Sequence, residues 1–121
     1  MRAAATSARK LPARPAADDA ADLKKLTRQA GEAARLLKLF GNEKRLLILC
    51  FLAARGEMTV GDIVGVVKLS QSALSQHLAK LRVDRLVEFR RTSQTLHYRV
   101  ADRRAMRMLH VLKDMYCNDW K

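Results

Sequence analysis

The two cysteines of this chain are the residues best suited to covalent chemistry. Cys50 and Cys117 are the only cysteines among 121 residues, and they lie far apart in the sequence. Because no CxxC spacing occurs, the two thiols alone make neither a zinc knuckle nor a thioredoxin-like active site. They can pair only if the fold brings them together. A thiolate is the reactive form of cysteine, so a chemical role requires at least one accessible thiol.

Hydrogen-bonding side chains form a second group, in the stretch 70–80. At helical spacing, Leu74, Leu78 and Leu81 cluster on one side and small or polar side chains on the other. That outer face suits the major groove of DNA, because short side chains permit close approach and glutamine pairs with adenine in bidentate fashion. A solvated surface helix, with His77 merely completing the packing, would show the same pattern. The residues predicted to face bases or phosphates here are Ser70, Gln71, Ser72, Ser75, Gln76, His77 and Lys80.

The composition favours a nucleic-acid partner. Lysine and arginine number 24 against 12 acidic residues, giving a formal charge of +12, and such a charge indicates an acidic polymer or an anionic surface as partner. No stretch approaches the roughly 20 unbroken apolar residues of a membrane span. The start also lacks the apolar core of a secretory signal. We therefore expect a cytoplasmic protein that does not bind membranes.

The first residues differ in composition from the rest of the chain. Residues 1–17 are rich in alanine, contain both prolines and four basic residues, and lack acidic ones. This composition predicts a disordered basic tail over 1–17 and one small domain over 18–121. The tail is interpreted either as solvated chain without a specific role or as an arm that attracts phosphates. A mitochondrial presequence is a third interpretation.

Apolar periodicity predicts four helices before residue 85. The first runs from about residue 18 to Phe40. Gly41 then ends it, and Asn42 caps a second helix that is apolar nearly all round, reaches Gly56 and is predicted to be buried. Thr59 with Asp62 forms a capping-box-like start of a short third helix. After a break at 68–70, a fourth helix runs to about residue 84, which makes the pair a helix-turn-helix.

The remaining residues predict a β-hairpin and a last helix. Alternation over 86–91 and 95–100 around a polar turn at 92–94 indicates a hairpin wing, which carries Arg90 and Arg91 as further DNA contacts. Asp102 caps a last helix with a broad apolar stripe, which usually needs a partner to cover it. The predicted fold is mostly α with a β-hairpin wing, a winged helix-turn-helix in the order α-α-α-α-β-β-α that forms a homodimer.

Three stretches resemble a known family. They are NEKRLLILC (42–50), LSQSALSQHLAKLR (69–82) and HYRV (97–100), and together they are similar to the ArsR/SmtB repressors over about 36–117. Within that family the likeness is to the metal-independent branch of the regulators HlyU, BigR, SqrR and NolR. The resemblance implies a winged-helix homodimer on a palindromic double-stranded DNA operator, usually as a repressor.

Most members of the family sense metals, and the resemblance assigns their common metal sites to particular positions of this chain. The stretch 59–63 lacks the thiols of one common site. The positions of the other common site correspond to Asp102, Arg104, Met115 and Asn118, and only one of these four positions keeps a metal ligand. We therefore expect neither a metal nor a cofactor.

Cys50 and Cys117 match in position a cysteine pair of the HlyU, BigR and SqrR branch. The resemblance implies that peroxide or persulfide links the two residues and thereby changes operator binding. Cys117, at the edge of the last helix's apolar stripe, is expected to react first and Cys50 to resolve the product.

Alternative functions remain open at this point. The cysteines of a constitutive regulator would serve only as packing. A metal-responsive repressor would need a non-standard site. A protein-only adaptor would keep the fold without binding DNA, and the basic wing argues against it. A thiol enzyme is disfavoured, because neither a CxxC nor a glycine-rich cofactor loop occurs. The loose candidate set for a metal is His110, Asp114 and Cys117.

Overall fold

The computed structural model of the protein describes residues 17–117. Helix α1 (Ala17–Phe40) passes through the boundary between two units of the chain, which lies after Ala34. In the first unit α1 exposes Leu23 and Leu26, each by 54%. In the order of the chain, the second unit continues with α2 (Glu43–Arg55), β1 (Met58–Thr59), α3 (Val60–Val67), α4 (Gln71–Val83), β2 (Val87–Thr92), β3 (Thr95–Val100) and α5 (Arg103–Tyr116).

The helix ends follow the chemistry that the sequence predicts. The Asn42 side chain accepts a hydrogen bond from the amide of Arg45 at the start of α2, and Gly56 ends that helix at a φ of 86°. The left-handed backbone of Gly56 costs little because glycine has no Cβ. At the start of α3, Thr59 and Asp62 form a capping box, in which each side chain accepts from the other residue's amide. Helices α2 and α3 therefore begin where their capping residues predict.

A small sheet joins the hairpin to the segment before α3. The three strands are antiparallel in the order β1-β3-β2, and the hairpin register places Val87 opposite Val100. The hairpin is confirmed, although β2 extends one residue beyond the predicted strand and shortens the turn. Strand β1 was missed, because a strand of two residues is too short to show alternation. It pairs Met58 with Tyr98.

The core of the second unit lies between α2, the helix-turn-helix and the sheet. Its most buried members include Ile48, Leu49, Ile63, Leu74 and Leu81, which are fully buried. The prediction that α2 is a central buried helix is wrong for one side of the helix, where Cys50 is exposed. Leu46 is half-buried and packs against the core.

Helix α5 shows the same division into two sides. Asp102 caps it, accepting hydrogen bonds from the amides of Arg104 and Ala105. Ala105 and Leu109 are buried, whereas Met115 and Tyr116 are exposed by 52% and 78%. No helix in the described part of the chain is long and apolar enough to cross a membrane.

Candidate DNA-binding surface and thiol groove

Helix α4 presents the polar face that the sequence predicts. Leu74, Leu78 and Leu81 are buried and fix the helix on the core. The Ser70 hydroxyl accepts a hydrogen bond from the amide of Ala73 at 3.1 Å, which satisfies one of the free amides at the helix start. The predicted contact residues that lie exposed on the outer side of the cap and helix are Ser70, Gln71, Ser72, Ser75, Gln76 and Lys80.

His77 lies at the edge of this face and is half-buried. Burial lowers the pKa of its imidazole, and the positive charges of Arg45 and Lys80 lower it further. A neutral imidazole is therefore favoured near neutral pH, since both causes disfavour the charged form. Such a ring donates or accepts a hydrogen bond, but it adds no positive charge for phosphates.

Two cations at the start of α2 donate hydrogen bonds to carbonyls near the ends of the neighbouring helices α1 and α3. The Lys44 ammonium donates to the Val67 carbonyl at 3.3 Å. Val67 is the last residue of α3, and the next residue, Lys68, has a left-handed backbone at a φ of 56°. Arg45 donates to the Leu39 carbonyl at 3.0 Å. Cations at helix C-termini satisfy free carbonyls, so α2 holds the turn that leads into α4.

The wing places the two predicted arginines in different surroundings. Arg90 donates two hydrogen bonds of 2.9 Å to the Glu57 carboxylate. These bonds are the main cause that lowers the pKa of Glu57. Arg91 is exposed and lies opposite Leu96 in the hairpin. The structure therefore gives Arg90 a partner within the protein, and its contact with DNA stays a prediction.

A stacking contact connects α4 to the wing. The Arg82 guanidinium lies 4.6 Å from the centroid of the Phe89 ring, and that ring lies 5.4 Å from the ring of Tyr98. The stacking of Arg82 could not be anticipated from the sequence, because Phe89 approaches α4 only in the folded chain. A cation over an aromatic face adds about 0.5–1 kcal/mol at exposed sites, so α4 and the hairpin stabilise each other.

The two cysteines line one groove between α2 and α5. The groove has a volume of about 730 Å³. Both thiols are free and both residues are exposed. The fold thus brings to one groove two thiols that lie 67 positions apart in the sequence. The residues that line this thiol groove are Leu46, Leu47, Cys50, Phe51, Ala53, Ala54, Leu109, His110, Leu112, Lys113, Tyr116 and Cys117.

The surroundings of Cys50 in the groove disfavour its thiolate form. Partial burial raises the pKa of Cys50, and repulsion between its thiolate and that of Cys117 raises this pKa further. Cys117 follows the last turn of α5, where its amide donates to the Lys113 carbonyl at 2.8 Å. Cys50 therefore holds its proton at neutral pH more firmly than an ordinary cysteine does.

The sequence of this chain is similar to those of known bacterial regulatory proteins. Residues 42–88 match the family described as bacterial regulatory protein, arsR family. Over 96 residues the chain is 42% identical to the transcriptional activator HlyU of Vibrio cholerae serotype O1, a match that covers 79% of this chain and 88% of HlyU. The chain belongs to the ArsR family of bacterial regulatory proteins.

Two further relatives agree with this membership. The nodulation protein NolR of Rhizobium meliloti is 47% identical over 72% of this chain and 70% of NolR. The crystal structure of the transcriptional repressor BigR from Xylella fastidiosa matches with a TM-score of 0.73 and 31% identity, over 79% of this chain and 97% of that one. The predicted winged helix-turn-helix is confirmed, and this ArsR-family chain is a DNA-binding transcriptional regulator.

Two of the four positions that correspond to a metal site of the family make other contacts in this ArsR-family chain. Asp102 caps α5 and pairs with Arg104. Burial acts to raise the pKa of Asp102, but hydrogen bonds from Arg104 and Ala105 offset it, so the pKa is lowered. Asn118 lies outside the described residues. Within residues 17–117, no three His, Cys, Asp or Glu side chains meet in a group that could hold a metal.

Proposed function

We propose that this ArsR-family regulator binds a palindromic operator as a homodimer and that chemical linkage of Cys50 to Cys117 controls the binding. The observation that carries the proposal is the thiol groove, which collects both cysteines of the chain on one surface. A cysteine kept only for packing would be buried among apolar side chains. Cys50 is exposed instead, and it lines the same groove as the second thiol.

The chemistry assigns a different role to each thiol. Cys117 attacks one oxygen of a peroxide as the thiolate, which gives a sulfenic acid and releases water or an alcohol. The Cys50 sulfur then attacks the sulfenic sulfur, and a disulfide forms with loss of water. The raised pKa of Cys50 supports its role as the resolving thiol, since Cys50 holds its proton more firmly than an ordinary cysteine does.

Persulfides offer a second route to the same link. Transfer of sulfane sulfur to each cysteine gives two persulfides, and their reaction forms a trisulfide bridge with release of hydrogen sulfide. A direct disulfide needs Cα atoms within about 7 Å, whereas a bridge with an additional sulfur spans more. The thiols are modified once per event, so the proposed role is that of a sensor and not of an enzyme.

The link acts on DNA binding through α2. A bridge in the groove fixes α2 against α5, and the first turn of α2 carries Lys44, which holds the turn before α4. A change in the position of α2 therefore reaches the DNA-facing helix α4 through this hydrogen bond and through the core that the two helices share. In a dimer the two α4 helices must enter successive major grooves about 34–36 Å apart, so a small rotation of either helix weakens binding.

A second copy of the chain is the proposed partner of the exposed apolar side chains. On α5 these include Val111 and Met115, each exposed by 52%. In the other unit, α1 exposes Leu23 and Leu26. Apolar side chains clustered on a helix face are typical of an interface, and a small domain gains stability from the burial that a dimer provides.

The proposal is tested by measuring the affinity of the protein for labelled DNA from upstream of the protein's own gene, with fluorescence anisotropy as the readout. Wild type is measured reduced, treated with peroxide and treated with persulfide, beside Cys50→Ser, Cys117→Ser and the double variant. We expect treated wild type to release DNA and all three variants to retain it. The double variant also reports oxidation of methionine, which would release DNA without any cysteine.

Intact mass after treatment identifies the product. A disulfide within one chain lowers the mass by two hydrogens, and a trisulfide adds one sulfur beyond that. Equal affinity of all reduced and treated samples would refute the sensor proposal. The chain would then be a constitutive ArsR-family regulator with two structural cysteines.

A further inference from the structure

The walls of the thiol groove have an uneven chemistry. Most of the lining side chains are apolar, and α2 contributes Leu46, Leu47 and Phe51. The polar lining groups beside the thiols come from α5, and they include His110 and Lys113. None of the lining residues is a carboxylate, and Lys113 is the one lysine or arginine among them. The groove therefore combines an apolar wall with a positive edge.

The size of the groove exceeds what a small inorganic oxidant requires. Its volume of about 730 Å³ falls within the roughly 300–1,000 Å³ of sites for small organic molecules. Hydrogen peroxide would occupy a small part of it and would gain nothing from the apolar wall. An organic molecule that carries an apolar chain would fill it and remove apolar surface from water.

We propose that the thiol groove binds a fatty-acid hydroperoxide, with the carboxylate paired to Lys113, the chain on the apolar wall and the peroxide at the thiols. The proposal rests on the proposed redox function and names its oxidant class. The argument for this occupant is charge complementarity, because a carboxylate balances the positive edge.

The reaction balances without another reagent. The Cys117 thiolate attacks the terminal peroxide oxygen, the O–O bond breaks, and the fatty acid leaves as an alkoxide that takes up a proton to become the hydroxy acid. Cys50 then attacks the sulfenic sulfur and expels the second oxygen as water. In sum, one hydroperoxide and two thiols yield one hydroxy acid, one disulfide and one water, so the thiols are oxidised and the peroxide is reduced.

Binding is tested separately from oxidation. The full chain with both cysteines changed to serine is titrated with the fluorescent fatty acid cis-parinaric acid at concentrations below its micelle formation. We expect saturable binding that Lys113→Gln weakens by about tenfold, the effect of losing one charge-assisted contact. Arg107→Gln is the matched control, because it removes an equal charge from α5 outside the groove lining. It should bind as the parent does.

Reaction rates then test the oxidant. In the chain with both cysteines, linoleic acid hydroperoxide should consume the thiols at least about tenfold faster than hydrogen peroxide, and Lys113→Gln should remove most of this advantage. Cumene hydroperoxide lacks a carboxylate, so Lys113→Gln should not change its rate.

Different failures refute different claims. Absence of saturable fatty-acid binding, or equal binding by Lys113→Gln and Arg107→Gln, overturns the fatty-acid proposal even where peroxide still releases DNA. A shift of the monomer–dimer equilibrium by Lys113→Gln without fatty-acid binding also overturns it and assigns the groove to a second copy. Saturable binding with DNA affinity unchanged by every oxidant leaves the fatty-acid site standing and refutes the redox function.

Discussion

Replacing Lys44 by methionine tests whether α2 positions the DNA-facing helix. The ammonium donates to the Val67 carbonyl at 3.3 Å, across a partly buried space. Methionine keeps much of the apolar stem and helix propensity of lysine but removes the donor and its charge. The carbonyl at the end of α3 then loses its partner at the turn that leads into α4.

The size of the effect follows from this geometry. A hydrogen bond to a charged group contributes about 1.5–3 kcal/mol, and a cation at a helix C-terminus about 0.3–1 kcal/mol. The distance of 3.3 Å lies beyond the usual range for an N–H donor and an oxygen, which places the contact toward the lower figures. We expect Lys44→Met to lower the free energy of unfolding by about 1 kcal/mol. If DNA binding must restore the turn, affinity falls by at most about fivefold.

Urea unfolding, DNA anisotropy and amide hydrogen exchange measure the three parts of this prediction. Exchange should accelerate in the turn around Lys68 and in the first turn of α4, and not in the middle of α2. Lys24→Met is the matched control, because it removes an equal charge from an exposed position of α1. If Lys44→Met and Lys24→Met show the same unfolding free energy, exchange and DNA affinity, α2 does not position the turn.

Three further predictions follow from the caps, the wing and the recognition helix. Asp102→Ala should lower the free energy of unfolding, measured in urea at pH 7, by about 1 kcal/mol because the helix cap is lost. The pKa of Asp102 is lowered from 3.8, so the difference between wild type and the variant should vanish as acid protonates the carboxyl of the folded protein. Arg91→Ala should reduce the slope of log DNA affinity against log salt concentration by about one. Arg90→Ala should reduce this slope by less, because Glu57 already neutralises the Arg90 charge, and equal slopes for the two variants would contradict the prediction. The pKa of His77 is lowered from 6.5, so the unfolded chain binds a proton before the folded protein does. Wild type should therefore lose stability below about pH 6.5 relative to His77→Gln. An NMR titration that gives the His77 ring a pKa at or above 6.5 would disprove this prediction.

The helix boundaries were predictable from the sequence because local chemistry determines them. Asn42 and Thr59 accept amide hydrogen bonds within one turn of their own positions. Leu74 and Leu78 are buried as their spacing predicts. Each of these features depends on residues a few positions apart, so the sequence holds all the information that they require.

The features that were missed depend on contacts between distant residues. Helix α2 is apolar nearly all round, so its periodicity did not indicate which side would be exposed, and the exposure of Cys50 was not foreseen. The carboxylate of Glu57 meets Arg90 only because the segment before α3 runs beside the hairpin. The homodimer and the bases that α4 contacts stay predictions, because they concern molecules beyond this one chain.

The pairing of β1 with β3 orders the assembly of the domain during synthesis. Met58 and Thr59 find their partners, Tyr98 and His97, only after the whole recognition helix has been made. Contacts between neighbouring helices form quickly, whereas pairing between distant segments is slower. Helices α3 and α4 therefore assemble before β3 completes the sheet. A chain whose synthesis stops before β3 would contain helix α4 and a β1 segment without its partner strand.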